Sequence, residues 1–485
     1  MNERLFAVFD VGTTGTRSTI VDEEGRELSK AYEEYPSKPR NVGIHEQLAE
    51  VFWNTSANTM QRALSRCKHG PDAIVAVVVA CTRDCITPVD KAGKPLAPTV
   101  TWVDNRSGTR SKEMAAEIGP RKSVNKMMWF IENQPDLFKK AFKFVPLDAF
   151  INNRLCGVMA SSPADARYGP IDHETLAWSE ELCEATGIPM DKLATITNAG
   201  ETIGEVSSQA AKATSLRKGT PVIMGSGDQQ CSALGTGVIS PGRVKATTGT
   251  GTFVITHVDE FMEETFVMFC NPAAIPGKWI LEGAIPGTGL AYKWYRDNYC
   301  EAEMALAAQT EKDVYQIIEA SAASVPAGSD GLVVFPFMAY NKGIFYNLGF
   351  SHTKGHVARA IMEANGYSIR MYIEMMEGML DTEFDELVID GGGTNSPLWR
   401  QIQADCVNKT VVLPRSRDST VIGAAMLGTV GSGVYSSFEE AVENMLRIEE
   451  RRQPIAENVE TYDRLYGVFN KILTAELGEL IELTS

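Results

Sequence analysis

Two short turns rich in glycine and threonine most constrain what this chain can fold into. One lies at residues 10–17 and the other at 244–253, each beside a strand-like run, and they are about half a chain apart. Glycine and threonine in a tight turn present backbone N–H groups and hydroxyls without bulk, which suits the turn to bind phosphate oxygens. The repetition therefore predicts two related halves that hold one nucleotide between them.

The length of the chain also favours two halves. With 485 residues, 44% of them hydrophobic, the chain exceeds what one ordinary core accommodates. We expect two large domains, at 1–243 and 244–485. The net charge of −16 argues against nucleic acid as a partner, because binding to its backbone depends on clustered lysine and arginine.

The cysteines and the apolar runs predict the compartment. Nine cysteines are scattered along the chain, so neither a disulfide framework nor a zinc site is indicated and a reducing cytoplasm fits best. The most apolar run, 73–81, is too short to span a bilayer and has the character of a strand. We expect a cytoplasmic protein without a membrane partner.

Periodicity places the other elements. A β-meander is predicted over 5–32, and helical patterns fill much of 46–66, 107–118, 124–156 and 353–380. The third of these patterns ends before Gly157, which suits a helix C-cap. Later, the strand-like run 387–390 leads into a glycine turn and the helix 396–406.

The first turn carries groups that suit a metal–phosphate complex. Asp10 ends a strand, where its carboxylate can hold a hydrated Mg²⁺. Thr13 and Thr14 offer hydroxyls to phosphate oxygens, and Arg17 adds positive charge. A plain hairpin turn is the alternative interpretation. The common Gly-rich nucleotide motifs are absent.

Asp228 is the candidate general base. It lies in the glycine-lined turn 225–230, where a carboxylate can accept the proton of a hydroxyl that attacks phosphorus. The alternative is that Asp228 caps the following helix. The two roles are compatible, so the turn alone does not decide between them.

Several segments, taken in order, resemble the FGGY carbohydrate kinase family, and the resemblance covers essentially the whole chain. It implies an α/β fold of two ribonuclease-H-like, actin-like ATPase domains with the active site in the cleft between them. The reaction that it implies is transfer of a phosphoryl group from ATP, with Mg²⁺, to a small sugar or polyol. The matching segments are Asp10–Thr14, Thr101–Arg106, Gly225–Gln230, Ala246–Thr250, Ile285–Trp294 and Asp390–Asp405.

The resemblance also implies roles for individual residues. Asp10 becomes the Mg²⁺-side carboxylate and Asp228 the base, with Gln229 on the substrate. The remaining positions belong to the nucleotide: Gly12, Thr13 and Thr14 in the first phosphate loop, Thr250 in the second, Gly287 in the nucleotide wall, and Gly392 and Gly393 in the adenosine pocket.

Arg83 and Asp84 fall where glycerol kinases carry an Arg-Glu pair that hydrogen-bonds polyol hydroxyls. A guanidinium donates and a carboxylate accepts, so such a pair suits a vicinal diol. An exposed ion pair of little consequence is the alternative. Asp104 either faces the substrate or braces its loop.

The substrate prediction is a ketopentose such as xylulose, because the stretch between Arg106 and Lys126 is shorter than in glycerol kinases. Glycerol or another linear polyol is the alternative, favoured by Arg83 and Asp84. An actin- or chaperone-like ATPase switch is the alternative of another class, and Asp228 argues against it. A homodimer is left open.

Overall fold

The computed structural model describes residues 3–36, 45–104, 106, 113–114, 121–265, 267–335 and 343–475. The strands in these ranges are β1 (Leu5–Val11), β2 (Gly15–Asp22), β3 (Glu27–Glu34), β4 (Glu46–Gln47), β5 (Ile74–Cys81), β6 (Ile86–Val89), β7 (Thr99–Val100), β8 (Lys143–Pro146), β9 (Ala160–Ser161), β10 (Thr195–Ile196), β11 (Thr202–Glu205), β12 (Pro221–Ile223), β13 (Val244–Thr248), β14 (Thr252–Val258), β15 (Met268–Pro272), β16 (Trp279–Ile285), β17 (Val333–Phe335), β18 (Ile344–Tyr346), β19 (Glu386–Asp390), β20 (Thr410–Pro414) and β21 (Ile448–Arg452). The α-helices are α1 (Ala49–Arg66), α2 (Lys122–Asn133), α3 (Pro135–Lys140), α4 (Leu147–Cys156), α5 (Pro163–Ala166), α6 (Glu180–Thr186), α7 (Ser208–Thr214), α8 (Asp228–Gly235), α9 (Thr288–Tyr299), α10 (Glu301–Thr310), α11 (Val314–Ala323), α12 (Lys354–Leu380), α13 (Pro397–Val407), α14 (Ser419–Gly431), α15 (Phe438–Met445) and α16 (Ala456–Ala475).

Two large sheets repeat the same strand order. The first runs β11-β12-β5-β1-β2-β3, and the second runs β21-β20-β19-β13-β14-β16-β15. The hairpins β1–β2 and β13–β14 are antiparallel, and β5 and β19 pair in parallel with the first strand of each. The two related halves predicted from the turns, and the α/β fold that the family resemblance implies, are confirmed. The predicted boundary at 243/244 falls between the two sheets.

Alternation along β1 builds a layer on each side of the first sheet. Leu5, Ala7 and Phe9 belong to a buried cluster with residues of α1, whereas Phe6 and Val8 belong to a cluster with residues of α14. Successive side chains of a strand point to opposite faces, so a strand covered on both faces is apolar throughout. The central strands are therefore held between two layers of helices.

The helix α14 follows β20 in the second half of the chain, yet it covers the first sheet. It meets α8 at two glycines. A Cβ on Gly235 would lie 2.0 Å from the Ser419 carbonyl oxygen, and a Cβ on Gly423 would lie 1.8 Å from that of Cys231. Both distances are far below any normal contact, so the two helices pack backbone against backbone only because both positions are glycine.

The prediction that helix fills much of 124–156 is confirmed, but the helix is divided into three pieces. The region contains α2, α3, the strand β8 and α4. Pro135 occupies the first turn of α3 and Pro146 precedes α4, and proline lacks the N–H that a continuing helix needs. The C-cap at Gly157 is confirmed, with φ of 82°. The pattern at 107–118 lies outside the described residues except for 113–114.

The other helical patterns are confirmed with shifts of a few residues, as α1, α12 and α13. All nine cysteines are unpaired thiols. Within the described ranges, no helix combines the length and apolar character needed to cross a bilayer.

Candidate active site

Three neighbouring strands of the first sheet, β1, β5 and β12, end at the same edge. The Thr82 amide donates to the Val11 carbonyl over 3.0 Å, and Cys81 pairs with Gly227 in an isolated parallel bridge. A Cβ on Gly225 would lie 1.7 Å from the Val79 carbonyl oxygen, so only glycine allows this approach. The residues that follow each strand are therefore brought together.

Asp228 begins α8 at this edge. Gly227 occupies the N-cap position, so capping by the Asp228 side chain is not what the structure shows. Its Oδ1 accepts from the Gln229 amide over 2.8 Å, and the side chain is 30% exposed. Burial raises the pKa of Asp228, and the nearby Arg83 guanidinium opposes the shift. A carboxylate with increased proton affinity suits a general base.

Arg83 joins the two halves of the chain. Its Nη2 donates to Glu282 Oε1 over 3.0 Å, and Glu282 lies on β16 of the second sheet. Its Nε is 3.8 Å from Asp228 Oδ1. Arg83 also packs over Gly227, where a Cβ would lie 2.7 Å from its Cδ. The predicted substrate arginine is thus held beside the candidate base by a carboxylate of the other half.

Asp84 is bound by protein groups. The Ser123 hydroxyl donates to its Oδ1 over 2.7 Å, and Lys126 Nζ lies 2.8 Å from its Oδ2. The residue is 4% exposed. The pair Arg83-Asp84 is therefore not an exposed ion pair, since each member has its own buried partner.

Asp104 holds its own loop in place. Arg106 Nε donates to it over 2.8 Å and the His45 amide over 2.6 Å. Burial by itself would raise the pKa of Asp104, but these hydrogen bonds hold it below its usual value. Of the two predicted roles, bracing the loop is the one that this geometry supports.

The tip of the first hairpin is exposed. Thr13 and Thr14 are both accessible, and Gly12 closes the turn through a bond of 3.0 Å from its amide to the Gly15 carbonyl. The Thr13 hydroxyl accepts from Trp102 Nε1 over 2.8 Å. The hydroxyls and amides of this tip are therefore placed beside the strand edge that carries Asp228.

Asp10 precedes that tip and lies 3.6 Å from Arg17. Burial raises the pKa of Asp10 to about 7, with Arg17 opposing the shift and the carboxylates Asp228 and Asp418 adding to it. Arg17 itself bonds Asp418 over 2.5 Å, immediately before α14. Arg17, which was predicted to bind phosphate, therefore forms an ion pair with a residue of the second half of the chain.

The surroundings of Asp10 fit a hydrated divalent cation. Its charge is incompletely compensated, because Arg17 is shared with Asp418. The described residues contain no cluster of three acidic, histidine or cysteine side chains that could hold a metal by itself. The single carboxylate of Asp10 suits Mg²⁺, which keeps several waters and binds through one or two carboxylates plus substrate phosphates.

A cavity of about 440 Å³ lies in the second half of the chain. Its volume falls in the range of small-molecule sites. Gly392 and Gly393, both predicted for the adenosine pocket, line it together with Thr248 and Gly249 of the second hairpin. Its other walls are Gly289, Tyr292, Asp313, Tyr315, Gln316, Glu319, Met362, Asn395, Ser396 and Trp399.

The remaining predicted nucleotide residues adjoin this cavity. Thr250 is exposed at the hairpin tip, and its carbonyl accepts from the Leu290 amide over 3.2 Å. Gly287 is the N-cap of α9 with φ of 81°, a conformation that favours glycine. Both lie next to Gly289, a lining residue.

Sequence reasoning missed Lys245. It is fully buried on β13 and contacts the Ser232 hydroxyl of α8. Ser232 in turn donates to Asp390 Oδ2 over 2.7 Å. Burial lowers the pKa of Lys245, and Asp390 opposes the shift. A lysine between Val244 and Ala246, inside a strand, was the available signal.

Comparisons with known proteins agree with this architecture. The model for the N-terminal domain of the FGGY family of carbohydrate kinases matches residues 5–235, and the model for its C-terminal domain matches 244–432. Gluconokinase of Bacillus subtilis (strain 168) is 27% identical over 95% of this chain and 94% of that protein. The autoinducer-2 kinase of Photorhabdus laumondii is 28% identical over 95% of this chain and 92% of that protein.

Solved structures show the same fold. Xylulose kinase from Rhodospirillum rubrum superimposes with a TM-score of 0.85 at 24% identity, over 99% of this chain and 100% of that one. Glycerol kinase from Plasmodium falciparum superimposes with a TM-score of 0.83 at 18% identity, over 98% of this chain and 99% of that one. At these identities the likeness concerns the fold alone.

Proposed function

The chain belongs to the FGGY family of carbohydrate kinases, and from that premise we propose that it transfers the γ-phosphoryl group of ATP to a hydroxyl of a ketopentose such as xylulose. That it is an ATP-dependent kinase of a small sugar follows from the family. The observation that carries the catalytic part of the proposal is Asp228, a partly exposed carboxylate of raised pKa beside the buried Arg83.

In this proposal the oxygen of the sugar hydroxyl forms a bond to the γ-phosphorus of ATP while the bond from that phosphorus to ADP breaks. Asp228 accepts the proton that the hydroxyl loses. Phosphoryl transfer depends mostly on positioning and electrostatics. Arg83 Nη1 and Gln229 Oε1 are buried and have no hydrogen-bond partner among the described residues. They supply a donor and an acceptor with which a sugar hydroxyl can be oriented.

The nucleotide is proposed to occupy the cavity beside Gly392 and Gly393. Its phosphates then lie between the two hairpin tips, at Thr13–Thr14 and at Thr250. Mg²⁺ held with Asp10, when bound, supplies charge neutralisation to the phosphates. The division into domains 1–243 and 244–485 is part of this proposal, because each contributes one tip.

The acceptor is the finer part of the proposal. The relatives act, by name, on gluconate and on autoinducer-2, so identity of 27–28% does not choose among sugars. A linear polyol such as glycerol remains the second candidate, because Arg83 Nη1 has no hydrogen-bond partner among the described residues and can donate to a simple diol.

The test is a panel of acceptors assayed for ADP release: xylulose and other pentuloses, glycerol, erythritol, gluconate and autoinducer-2. We expect a pentulose to give the highest kcat/KM and the product to be a monophosphate by mass. Highest kcat/KM with gluconate or autoinducer-2 would overturn the ketopentose. ADP release that no acceptor stimulates would overturn the kinase reaction itself.

A further inference from the structure

Glu282 is a carboxylate of the second half of the chain, and it contacts Arg83 beside the candidate base of the first half. It lies on β16 and its side chain is 5% exposed. One oxygen, Oε1, accepts from Arg83 Nη2 over 3.0 Å. The other, Oε2, is buried and has no hydrogen-bond partner within the described part of the chain. A buried, unpartnered carboxylate oxygen needs an explanation.

We propose that Glu282 binds the acceptor and selects its charge: the second carboxylate oxygen of Glu282 accepts a hydrogen bond from a hydroxyl of an uncharged sugar, and the negative charge of Glu282 excludes sugar acids. The proposal rests on the proposed function, because it assigns a residue to the same acceptor site. It adds a substrate contact from the second half of the chain to those predicted on the first.

Three orphaned polar atoms, on Glu282, on its partner Arg83 and on Gln229 beside Asp228, match a polyhydroxyl ligand. Arg83 Nη1, Gln229 Oε1 and Glu282 Oε2 are each buried without a hydrogen-bond partner among the described residues. Together they offer one donor and two acceptors. Neighbouring sugar hydroxyls both donate and accept, so a diol can satisfy groups that the protein leaves unsatisfied.

The local charges argue against an acidic acceptor. The cations near this site already have acidic partners: Arg83 with Glu282 at 3.0 Å, Lys126 with Asp84 at 2.8 Å, and Lys245 with Asp390 at 3.7 Å. Asp228 adds a further carboxylate close to Arg83. A carboxylate on the ligand would therefore meet negative charge without an uncommitted cation from these groups, and like charges in a partly desolvated site repel strongly.

The alternative is that Glu282 only ties the two halves together through Arg83. The chain offers a matched control for that role. Glu264, also in the second half, bonds Arg167 of the first half over 2.5 Å, and Arg167 is 3% exposed. A purely structural ion pair between the halves should respond alike in Glu264→Gln and Glu282→Gln.

The experiment compares Glu282→Gln, Glu264→Gln and wild type with xylulose and gluconate as acceptors. We expect Glu282→Gln to raise KM for the neutral sugar about 10-fold or more, the usual weight of a charged hydrogen bond, with KM for ATP changed less than about 2-fold. The ratio of kcat/KM for gluconate to that for xylulose should rise at least about 10-fold. Glu282→Asp, which keeps the charge, should keep the wild-type ratio.

Equal effects of the two glutamine variants, or equal changes in KM for sugar and ATP, would overturn the proposal. If Glu282→Gln does not fold, the double variant Arg83→Gln/Glu282→Gln removes both charges and should still lose discrimination against gluconate. Calorimetric titration with xylulose, glycerol and gluconate separates the proposed role of Glu282 from the proposed phosphorylation of xylulose. Wild-type binding of neutral polyhydroxyl compounds but not gluconate supports the role of Glu282 even if xylulose is not phosphorylated, and preferred binding of gluconate refutes it.

Discussion

Replacing Asp228 by asparagine tests the candidate base with little disturbance of the fold. Asparagine keeps the Oδ1 that accepts from the Gln229 amide at 2.8 Å and leaves Gly227 as the N-cap. It removes the proton acceptor. Loss of a general base typically lowers kcat about 10²- to 10⁴-fold, or roughly 3–5 kcal/mol of barrier. A loose, metaphosphate-like transition state would place the effect near the lower end.

The stability of this variant should not fall. Because burial raises the pKa of Asp228, the site disfavours the carboxylate, and a neutral side chain of the same shape removes that penalty. We therefore expect an unchanged or higher Tm and unchanged ATP binding beside the collapse in kcat. Asp90→Asn, the same change at a turn where the carboxylate accepts from the Ala92 and Lys94 amides, is the control and should keep kcat.

The pH profile gives an independent readout. A base acts when deprotonated, so kcat/KM should fall as the pH falls through the raised pKa of Asp228, above the ordinary value of 3.8. Asp228→Asn should lack that acid limb. The assignment would be refuted if Asp228→Asn kept more than about a tenth of the wild-type kcat, because that loss is smaller than the low end of the loss expected for a general base.

Four further changes test other parts of the structure. Arg83→Gln should raise KM for the acceptor far more than KM for ATP, since Arg83 Nη1, which has no partner in the described part of the chain, is proposed to bind sugar. Equal increases would place Arg83 outside the acceptor site. Burial raises the pKa of Asp10 to about 7, so the folded state holds a proton on Asp10 and becomes less stable as the pH rises from about 4 to about 7. The stability that Asp10→Asn gains over wild type, measured by denaturant unfolding, should therefore increase between about pH 5 and pH 8. A difference in stability that stays constant over this range would contradict the prediction. Gly423→Ala should destabilise the fold by about 1–3 kcal/mol or more. At Gly378 a Cβ would meet no atom of the described residues within 4 Å, so Gly378→Ala should be neutral or stabilising by about 0.5–1 kcal/mol. Equal melting temperatures of the two variants would contradict the close helix contact. Nucleotide with acceptor should reduce the radius of gyration in small-angle scattering, because two hairpin tips must approach one nucleotide; an unchanged radius would argue against closure.

Local sequence was sufficient for part of the site. Glycines around Asp228 and at the two hairpin tips report backbone requirements that the structure bears out, such as the approach of Gly225 to Val79. The pairing of Arg83 with Glu282, 199 residues away, and of Asp84 with Lys126 leave no local pattern. Partners so distant in sequence meet only once the complete fold has formed, so a local pattern does not predict them.

The helical pattern at 124–156 is the reverse case, because a local signal was present in the sequence and the prediction did not use it. Its periodicity is real in each piece, but Pro135 and Pro146 divide it into α2, α3, β8 and α4. Proline interrupts a helix through the missing N–H, and that signal was available in the sequence. The helical content of this stretch was predicted, whereas the strand β8 between its helices was not.

The position of α14 over the first sheet has a consequence for biosynthesis. Phe6, Val8 and Val78 form a buried cluster with residues 421–427, which leave the ribosome more than three hundred residues after the strands they cover. A nascent chain ending near residue 243 would present that apolar face to solvent, and exposed apolar faces recruit chaperones or aggregate. The first sheet can thus be covered on both faces only after synthesis has passed residue 427.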